Sequence, residues 1–475
     1  MTSTIVDTLH MSKFARFIPA FLVMAALTID VAAGRWGAYI RSPIPGLYLA
    51  DLLLLVGAVG AVLQLKLLAQ CPRRVVAVFL LPASYLLILG VDSLLLRPAP
   101  DRYLAVRDLA PYAYLSLVPL IAIALVSVSF IVVVWVIRIA TLVHGLGFVL
   151  VMFDVVTPFQ SALLGVDYVS VLEYRGDLIG VVFGLGFLAW GRWPGELAAS
   201  RMAQFALLVL GLSGGSRAAF LTFVFFLAAG YWRERAWLPT WRMTAYVAAA
   251  LISAVGVGSF AATVTAPVRT PAAVSTAPSE SAANPTAGQA VRGEESAISW
   301  ELPAMQKTFG TGSSTARARL LTYDWVIESL LHDGLWQVGA GPGTDVLYRI
   351  CVNRPLEERA WLDDGTGREL IAKCPVDDDR AASRLRDPHQ WFLNSMIYFG
   401  LVGTVILVFA IVFPAWNLRR TRFASLPVLA IVGYFLCGSF GVIISAPFGM
   451  LPVAVMLGWL IALSRTSNGA ADAPT

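Results

Sequence analysis

The sequence predicts an all-α polytopic membrane protein, with about twelve transmembrane helices and one large extracytoplasmic segment between spans 9 and 10. Of its 475 residues, 58% are hydrophobic and only 14% are charged, which is more apolar side chain than a single soluble core accommodates. Apolar runs recur along the chain, each close to the roughly 20 residues that a helix needs to cross the hydrocarbon layer. The basic residues lie in short clusters between those runs, as they do in membrane proteins.

The apolar runs are expected to be helices rather than strands. A transmembrane strand alternates apolar and polar side chains over about ten residues. By contrast, VVAVFLLPASYLLILG from Val75 and LPVAVMLGWLIAL from Leu451 are apolar on every side. The net charge of +5 does not indicate a nucleic-acid partner, because the arginines are distributed as membrane topology requires. The sequence therefore predicts a helical bundle whose partners include membrane lipids.

The predicted spans follow the apolar runs in order. They lie near residues 16–34, 46–64, 75–95, 111–127, 130–153, 177–191, 198–212, 217–231, 243–265, 391–415, 425–443 and 446–464. The first is expected to be an uncleaved span rather than a signal peptide. The hydrophobic run is almost unbroken around Val128, and two spans are placed there because one merged span would break the charge pattern downstream.

The distribution of lysine and arginine orients the chain, since these residues are retained on the cytoplasmic side. With the N-terminus inside, the residues in cytoplasmic connections are Lys13, Arg16, Lys66, Arg73, Arg74, Arg192, Arg233, Arg235, Arg242, Arg419, Arg420, Arg422 and Arg465. Both termini are therefore predicted to be cytoplasmic.

This topology divides the chain into three parts. Residues 1–265 carry spans 1–9, and residues 391–475 carry spans 10–12 and a cytoplasmic tail. Between them, residues 266–390 form the extracytoplasmic segment. Its first part, residues 266–299, is rich in Pro, Ala, Ser and Thr and is predicted to be a flexible linker. Residues 300–390 are predicted to be partly helical, with the stretch RARLLTYDWVIESLLHDGLW followed by a glycine turn, GAGPG.

The four cysteines are divided between two environments. Cys351 and Cys374 lie in the extracytoplasmic segment, where oxidising conditions favour a disulfide, and we expect them to be bridged. Cys71 and Cys437 lie at or in the membrane. The cysteines form no CxxC pair and have no histidine at zinc-finger spacing, so the sequence predicts no zinc site.

The first candidate site segment is GLSGGSRAAF, in which residues 213–217 form a tight extracytoplasmic turn between two apolar helices. Glycines let backbone N–H groups approach a ligand, and a helix N-terminus beside the Arg217 guanidinium favours an anion such as phosphate. An arginine at the end of a span often only extends to the interface. Arg217, however, lies on the side that the charge rule leaves poor in arginine, which favours a functional role.

Two further candidates lie in the extracytoplasmic segment. Arg317 and Arg319 begin a predicted helix in ARARLLTYDW, and Arg319 is preferred because residues two apart on a helix point in nearly opposite directions. Either side chain is otherwise a solvated surface group. His389, in RDPHQWFLNSMIYFG, lies within a turn of the point where the chain re-enters the membrane. Histidine serves as a general base near neutral pH, although an interfacial histidine also commonly caps or packs against a helix.

Other ionisable residues receive weaker interpretations. The acidic runs at residues 363–364 and 377–379 lie in a charged stretch and are expected to be solvated, so they predict no metal. Several ionisable residues fall inside or near spans, where they generally face the interior of the bundle. They are Asp30, Asp51, Asp92, Arg138 and His144. A structural ion pair and a proton or ion pathway are both left open for this group.

Taken together, these segments resemble the O-antigen ligase and polysaccharide polymerase superfamily of bacterial envelopes. The resemblance lies in about twelve spans with a large late periplasmic loop and in GLSGGSR, RARLLTYDW through GAGPG, and PHQWFLNSMIYFGLVG. RDLAPYAY from Arg107 also looks like family members at the start of a span. The close part extends over residues 175–404. Many members have Asn after the His, where this chain has Gln390.

The resemblance implies a GT-C-like bundle in the bacterial inner membrane that transfers a glycan from undecaprenyl pyrophosphate to a sugar hydroxyl at the periplasmic face. It implies inversion of configuration, no metal and no cofactor. Arg217, Arg319, Ser216 and Arg317 would bind the pyrophosphate, and His389 would accept the proton of the acceptor hydroxyl. The acceptor is the lipid A-core in a ligase or a second lipid-linked glycan in a polymerase. A transporter or flippase of lipid-linked glycans is the alternative from another class, although the chain lacks the repeated halves typical of transporters.

Overall fold

The computed structural model describes residues 13–34, 48–95, 99–152, 176–193, 200–213, 217–234, 242, 244–254, 323, 326–327, 330–332, 334–343, 390–421, 423–439 and 446–471. These residues form helices and turns and contain no β-strand. The α-helices, in chain order, are α1 Lys13–Ala33, α2 Leu49–Val62, α3 Arg73–Val78, α4 Leu80–Leu95, α5 Ala99–Leu125, α6 Phe130–Met152, α7 Gly176–Ala189, α8 Arg201–Ser213, α9 Arg217–Glu234, α10 Thr244–Ala254, α11 Trp391–Leu418, α12 Ser425–Gly438 and α13 Pro447–Ala471. A 3-10 helix, Leu65–Gln70, precedes α3.

Each position at which the sequence predicts a span carries an apolar helix. Four helices are long and apolar enough to cross a membrane, namely Arg73–Asp92, Asp108–Leu125, Phe130–Leu150 and Trp391–Leu418. The other apolar helices have 10–17 residues within the described parts of the chain. The separation at Val128 is confirmed, because a turn divides α5 from α6. The helical fold class is therefore confirmed, whereas the full number of spans remains a prediction.

Helix α13 lies at the centre of the bundle. Every residue from 450 to 464 is buried, and the helix packs along α5 and against α1, α11 and α12. A helix that is apolar on all sides is stable where neighbouring helices surround it. The apolar sequence LPVAVMLGWLIAL suits this central position.

Helices α7 and α9 approach closely at two glycines. A Cβ on Gly180 would overlap the backbone of Ala219, and a Cβ on Gly184 would overlap the ring of Phe226. Small residues four apart on one helix face let two helix backbones come together. This packing positions α9, which begins at Arg217, against the rest of the bundle.

Contacts between helices define one end of the bundle, which we call the loop end. Gly34, directly after α1, lies against His144 and Leu178, near the end of α6 and the start of α7. Tyr114 of α5 donates a hydrogen bond to Asp51 in the first turn of α2. Together with the packing of Gly180 against Ala219, these contacts bring the N-termini of α2, α7 and α9 to the loop end.

The opposite end, which we call the basic end, contains the C-terminus of α7. There the Arg138 guanidinium donates to the carbonyl oxygen of Ala189 over 2.8 Å and lies 5.0 and 4.8 Å from the rings of Trp135 and Trp190. Within the described residues, the partners of the Arg138 guanidinium are the carbonyl oxygens of Ala189 and Gly191 and these two aromatic rings. Arg233 of α9 similarly lies over a ring at this end. Arg233, which the sequence assigns to a cytoplasmic connection, therefore lies at the basic end.

Candidate functional site

The candidate site is built around a break in α11 at Gly400. This residue has φ 62° and ψ −172°, a conformation that is essentially restricted to glycine. The helix resumes directly after it and continues to Leu418. The break was not predicted, because Gly400 lies within the apolar run FGLVGTVILVFAIVF, which is typical of a continuous span.

The break leaves backbone groups without their helical partners, and residues 336–337 supply replacements. The N–H of Leu401 donates to the carbonyl oxygen of Trp336 over 2.9 Å, and the N–H of Val402 donates to that of Gln337 over 3.2 Å. Non-helical backbone at membrane depth is tolerated only where such groups find new partners. Residues 336–337 therefore complete the start of the second half of α11.

The carbonyl groups on the other side of the break are also satisfied. The Ile397 oxygen accepts a hydrogen bond from the N–H of Ala340 over 2.6 Å. The Phe399 oxygen accepts one from the Tyr85 hydroxyl of α4 over 2.9 Å. Because donors and acceptors on both sides of Gly400 have partners, the break is a built feature of the fold rather than a local irregularity.

The segment that docks into the break is the glycine turn, which we define as residues 339–343. Gly339, Gly341 and Gly343 all have positive φ, of 77°, 89° and 79°. A Cβ on Gly339 would lie 2.6 Å from the backbone nitrogen of Gly400, so the two glycines permit a close backbone approach. The turn predicted from GAGPG is therefore confirmed, and its glycines are required by both conformation and contact.

The helix that precedes the glycine turn ends earlier than its sequence suggests. We predicted a helical stretch through Trp336, and the described residues 330–332 are helical, but residues 334–338 form turns. Gly334 has φ 68°, and the N–H groups of Gly334 and Leu335 donate to the carbonyl oxygens of Leu331 and Leu330. This is the hydrogen-bond pattern of a Schellman motif, which terminates a helix at a glycine.

Helix α5 holds the far side of the glycine turn. The Gly343 N–H donates to Oδ2 of Asp108 over 3.1 Å. One turn further along α5, the Tyr112 hydroxyl lies 3.3 Å from Oγ of Ser395, and its ring packs edge-on against Phe399 at 4.7 Å. The structure thus brings together RDLAPYAY, GAGPG and the N-terminal half of α11, three segments that the sequence analysis had quoted separately.

Asp108 and Gly400 lie at the same level of the bundle. Asp108–Leu125 has 18 residues, and α11 has 28 residues, of which 18 follow Gly400. At about 1.5 Å per residue each stretch spans roughly 27 Å, close to the roughly 30 Å of the hydrocarbon layer. Asp108 and Gly400, which both contact the glycine turn, are therefore each followed by a stretch long enough to cross that layer.

Gln390 has a definite local role. Its backbone is extended, and its side-chain oxygen accepts a hydrogen bond from the Leu393 N–H over 2.5 Å, so it caps the N-terminus of α11. An N-cap side chain satisfies one of the N–H groups that a helix leaves free. The amide next to His389 in the sequence is therefore occupied by helix capping.

The predicted site residues are only partly within the described chain. Arg217 is the first residue of α9, at the loop end, which confirms that it starts a helix. The position of its side chain lies outside the description. The remaining predicted residues lie outside the described residues altogether: Ser216, Arg317, Arg319, His389, and the cysteines Cys351 and Cys374. Cys71 and Cys437 are buried free thiols, as their predicted membrane location implies.

Sequence reasoning assigned no role to Asp108, Tyr85 or Gly400. Asp108 could have been noticed in the sequence, because it is an acidic residue at the end of a predicted span and lies in the quoted segment RDLAPYAY. Tyr85 carried none, because its hydroxyl partner is 314 positions away. Within the described residues, no group of three or more His, Cys, Asp or Glu side chains is arranged to hold a metal ion.

The site joins the glycine turn, the broken helix α11 and the Asp108 carboxylate of α5. In the sequence the glycine turn lies between Arg319 and α11, which begins just after His389. Comparisons with models of known protein families and with curated proteins find no match to this chain.

Proposed function

We propose that the chain is a glycosyltransferase of the O-antigen ligase type, which transfers a glycan from undecaprenyl pyrophosphate to a hydroxyl of the lipid A-core. The docking of the glycine turn into the break of α11 carries this proposal. It links the segment that follows Arg319 to the helix that follows His389. In the proposed topology the docked turn lies near the membrane surface, where the pyrophosphate of a lipid carrier is held when its chain lies between helices.

The proposed topology has twelve spans in a GT-C-like bundle of the bacterial inner membrane, with both termini cytoplasmic. It is supported by the apolar helices at the predicted positions and by Arg233, which lies at the end opposite to the docked turn. The basic end is then cytoplasmic and the loop end periplasmic.

The proposed chemistry divides the residues by role. The guanidinium groups of Arg217 and Arg319, assisted by Arg317 and the Ser216 hydroxyl, stabilise the negative charge that develops on the departing pyrophosphate. The N-terminus of α9 adds a favourable helix dipole for an anion beside Arg217. His389 accepts the proton of the acceptor hydroxyl as that oxygen attacks the anomeric carbon, and the configuration inverts.

Purified full-length protein in detergent tests the proposal, with undecaprenyl-pyrophosphate glycan as donor. His389→Ala should lower transfer by about 10² to 10⁴ while donor binding is retained, because it removes only the base. Arg217→Lys should weaken donor binding as well, since lysine lacks the planar fork that grips two phosphate oxygens. Matched controls are His332→Ala in the extracytoplasmic segment and Arg242→Lys at the start of α10, both of which are exposed.

The acceptor decides between the two related activities. Lipid A-core and a second lipid-linked glycan are offered in parallel, and transfer to the first alone supports a ligase, whereas transfer to the second alone makes the chain a polymerase. Wild-type transfer by His389→Ala would refute the assignment of the base. Movement of the donor across vesicle membranes without any transfer would favour a transporter, and activity lost to EDTA and restored by Mg²⁺ would refute the metal-free chemistry.

A further inference from the structure

Four large apolar side chains between residues 323 and 343 lie on the surface beside the glycine turn. They are Ile327, Leu331, Trp336 and Val338, and we call them the apolar patch. Leu331 and Val338 are the most open of them, at 60% and 62% exposed. Exposed apolar side chains that lie together generally mark a surface that contacts a partner or a membrane.

The helical part of this segment is apolar on two neighbouring faces. Val326 and Leu330 are four residues apart, and both are buried in the core of the bundle. Ile327 and Leu331 each follow one of them by a single residue, so they form a second row about 100° further around the helix. That second row is exposed. Packing within the bundle requires only the first row, and the second is therefore available to a partner outside the bundle.

The other half of the apolar patch is fixed against the break in α11. The carbonyl oxygen of Trp336 accepts a hydrogen bond from the N–H of Leu401 over 2.9 Å. A Cβ on Gly400 would lie only 2.4 Å from the backbone nitrogen of Val338. The exposed side chains of Trp336 and Val338 are therefore carried by backbone that touches α11 at residues 400–401.

Helix α11 continues from this point with an apolar stripe along one face. From Val402 onward its exposed large apolar side chains recur at intervals of three and four residues, which places them on one side of the helix. They are Val402, Val405, Phe409, Val412 and Trp416. The part of α11 after Gly400 has 18 residues, about the length that crosses the hydrocarbon layer. In a membrane this stripe faces the acyl chains of lipids.

We propose that the apolar patch lies in the membrane surface and contacts the acyl chains of bilayer phospholipids. It continues the lipid-facing stripe of α11, since Val338 lies against Gly400 and the stripe begins two residues later at Val402. A tryptophan suits this level, because its apolar ring carries a polar N–H and the residue is enriched where hydrocarbon meets water. The exposed polar side chains of His332 and Gln337 then face headgroups and water.

This lipid contact anchors the glycine turn from outside the bundle, in addition to the hydrogen bonds that hold it to α11 and α5. It does not depend on the glycosyltransferase assignment, and it applies to either orientation of the chain. A water-exposed patch, a patch covered by protein and a patch that takes only an isoprenoid carrier lipid are the other outcomes, and each gives a different result in the experiment below.

Spin labels on the full-length protein test the contact in vesicles of synthetic phospholipid that contain no isoprenoid lipid. Each variant carries one cysteine in a background whose four native cysteines are replaced by serine. Leu331→Cys and Val338→Cys report on the apolar patch, and Val405→Cys is the lipid-facing reference on α11. His332→Cys is the matched polar control, because it is one residue from Leu331 and also exposed. Collisions of each label are measured with oxygen, which concentrates in hydrocarbon, and with a water-soluble nickel chelate.

The labels in Leu331→Cys and Val338→Cys should have an oxygen-to-nickel collision ratio several-fold higher than the label in His332→Cys, and close to that in Val405→Cys. A ratio as low as that in His332→Cys would show that the patch faces water. Few collisions with either reagent would show that another part of the chain or a second copy covers it. A high ratio that appears only after undecaprenyl phosphate is added would assign the patch to the carrier. Each of these three results would overturn the proposal.

Brominated phospholipids give a second measurement if the cysteine-free background does not fold. Bromine atoms near the headgroup end of the acyl chains quench the fluorescence of a tryptophan that they contact. Trp336→Phe keeps an apolar ring and should lower the quenched fraction of the fluorescence relative to wild type. Trp459→Phe, which removes a buried ring of α13, is the control and should not lower it. A quenched fraction that does not fall in Trp336→Phe would also refute the lipid contact.

Discussion

Replacing Gly400 by alanine should undock the glycine turn from α11. The residue has φ 62° and ψ −172°, and forcing an L-residue into such a conformation costs about 1 to 3 kcal/mol. The added Cβ would also overlap the backbone of Gln337 and Val338, which adds an overpacking cost of about 1 to 3 kcal/mol. Together these costs reach about 2 to 6 kcal/mol. A change of that size is comparable with the hydrogen bonds that join the turn to the helix, at about 0.5 to 1.5 kcal/mol each.

The assay for Gly400→Ala is thermal unfolding in detergent together with limited proteolysis of residues 266–390. We expect a lower unfolding temperature and faster cleavage near residues 334–343. Gly90→Ala is the matched control, because nothing lies within 4 Å of the Cβ that it adds in α4. That control should stabilise slightly, by about 0.5 to 1 kcal/mol, through better helix propensity. If Gly400→Ala is as stable and as resistant to protease as Gly90→Ala, the docked turn is not held as the structure indicates.

Three further predictions concern the site and the topology. Asp108→Ala should lower the stability of the docked turn by about 1.5 to 3 kcal/mol, because the Gly343 N–H loses a charged acceptor. Asp108→Asn should cost less. The rates of proteolysis of the three proteins measure these costs, and equal rates in wild type and Asp108→Ala would contradict the contact. A reporter fused at Ala283 should be active only outside the cytoplasm and one at Arg235 only inside, and the reverse pattern would invert the orientation. Cys351 and Cys374 should resist alkylation until they are reduced, and free thiols without reductant would exclude their bridge.

The helical architecture was predictable because its signals are local. The length of an apolar run and the charges at its ends lie within about 20 residues, and these determine where a helix meets lipid and water. The turn at Val128 illustrates this point. Hydrophobicity alone left the run continuous, but the charges downstream required two helices, and α5 and α6 are separate.

The docked turn was not predictable to the same extent, because its partners are distant in sequence. The positive φ of the glycines in GAGPG could be expected from composition, but their contact with Gly400 depends on packing between segments about 60 residues apart. Gly400 itself resembles any other glycine in an apolar span. Its non-helical conformation is explained only by the fold, which brings the carbonyl oxygens of Trp336 and Gln337 to the N–H groups that follow it.

Asp108 and Tyr112 show why α5 organises this region. Both face the docked turn and α11, while Tyr114, two residues further on and therefore on nearly the opposite side of the helix, faces Asp51. Pro111 lies between them and has no N–H to donate to the carbonyl group one turn earlier. The backbone ladders of α5 and α11 are thus both interrupted, by Pro111 and Gly400. At Gly400 the freed backbone groups are bonded by residues 336–340 and by Tyr85, so the interruption fixes the glycine turn against α11, which an unbroken apolar helix could not do.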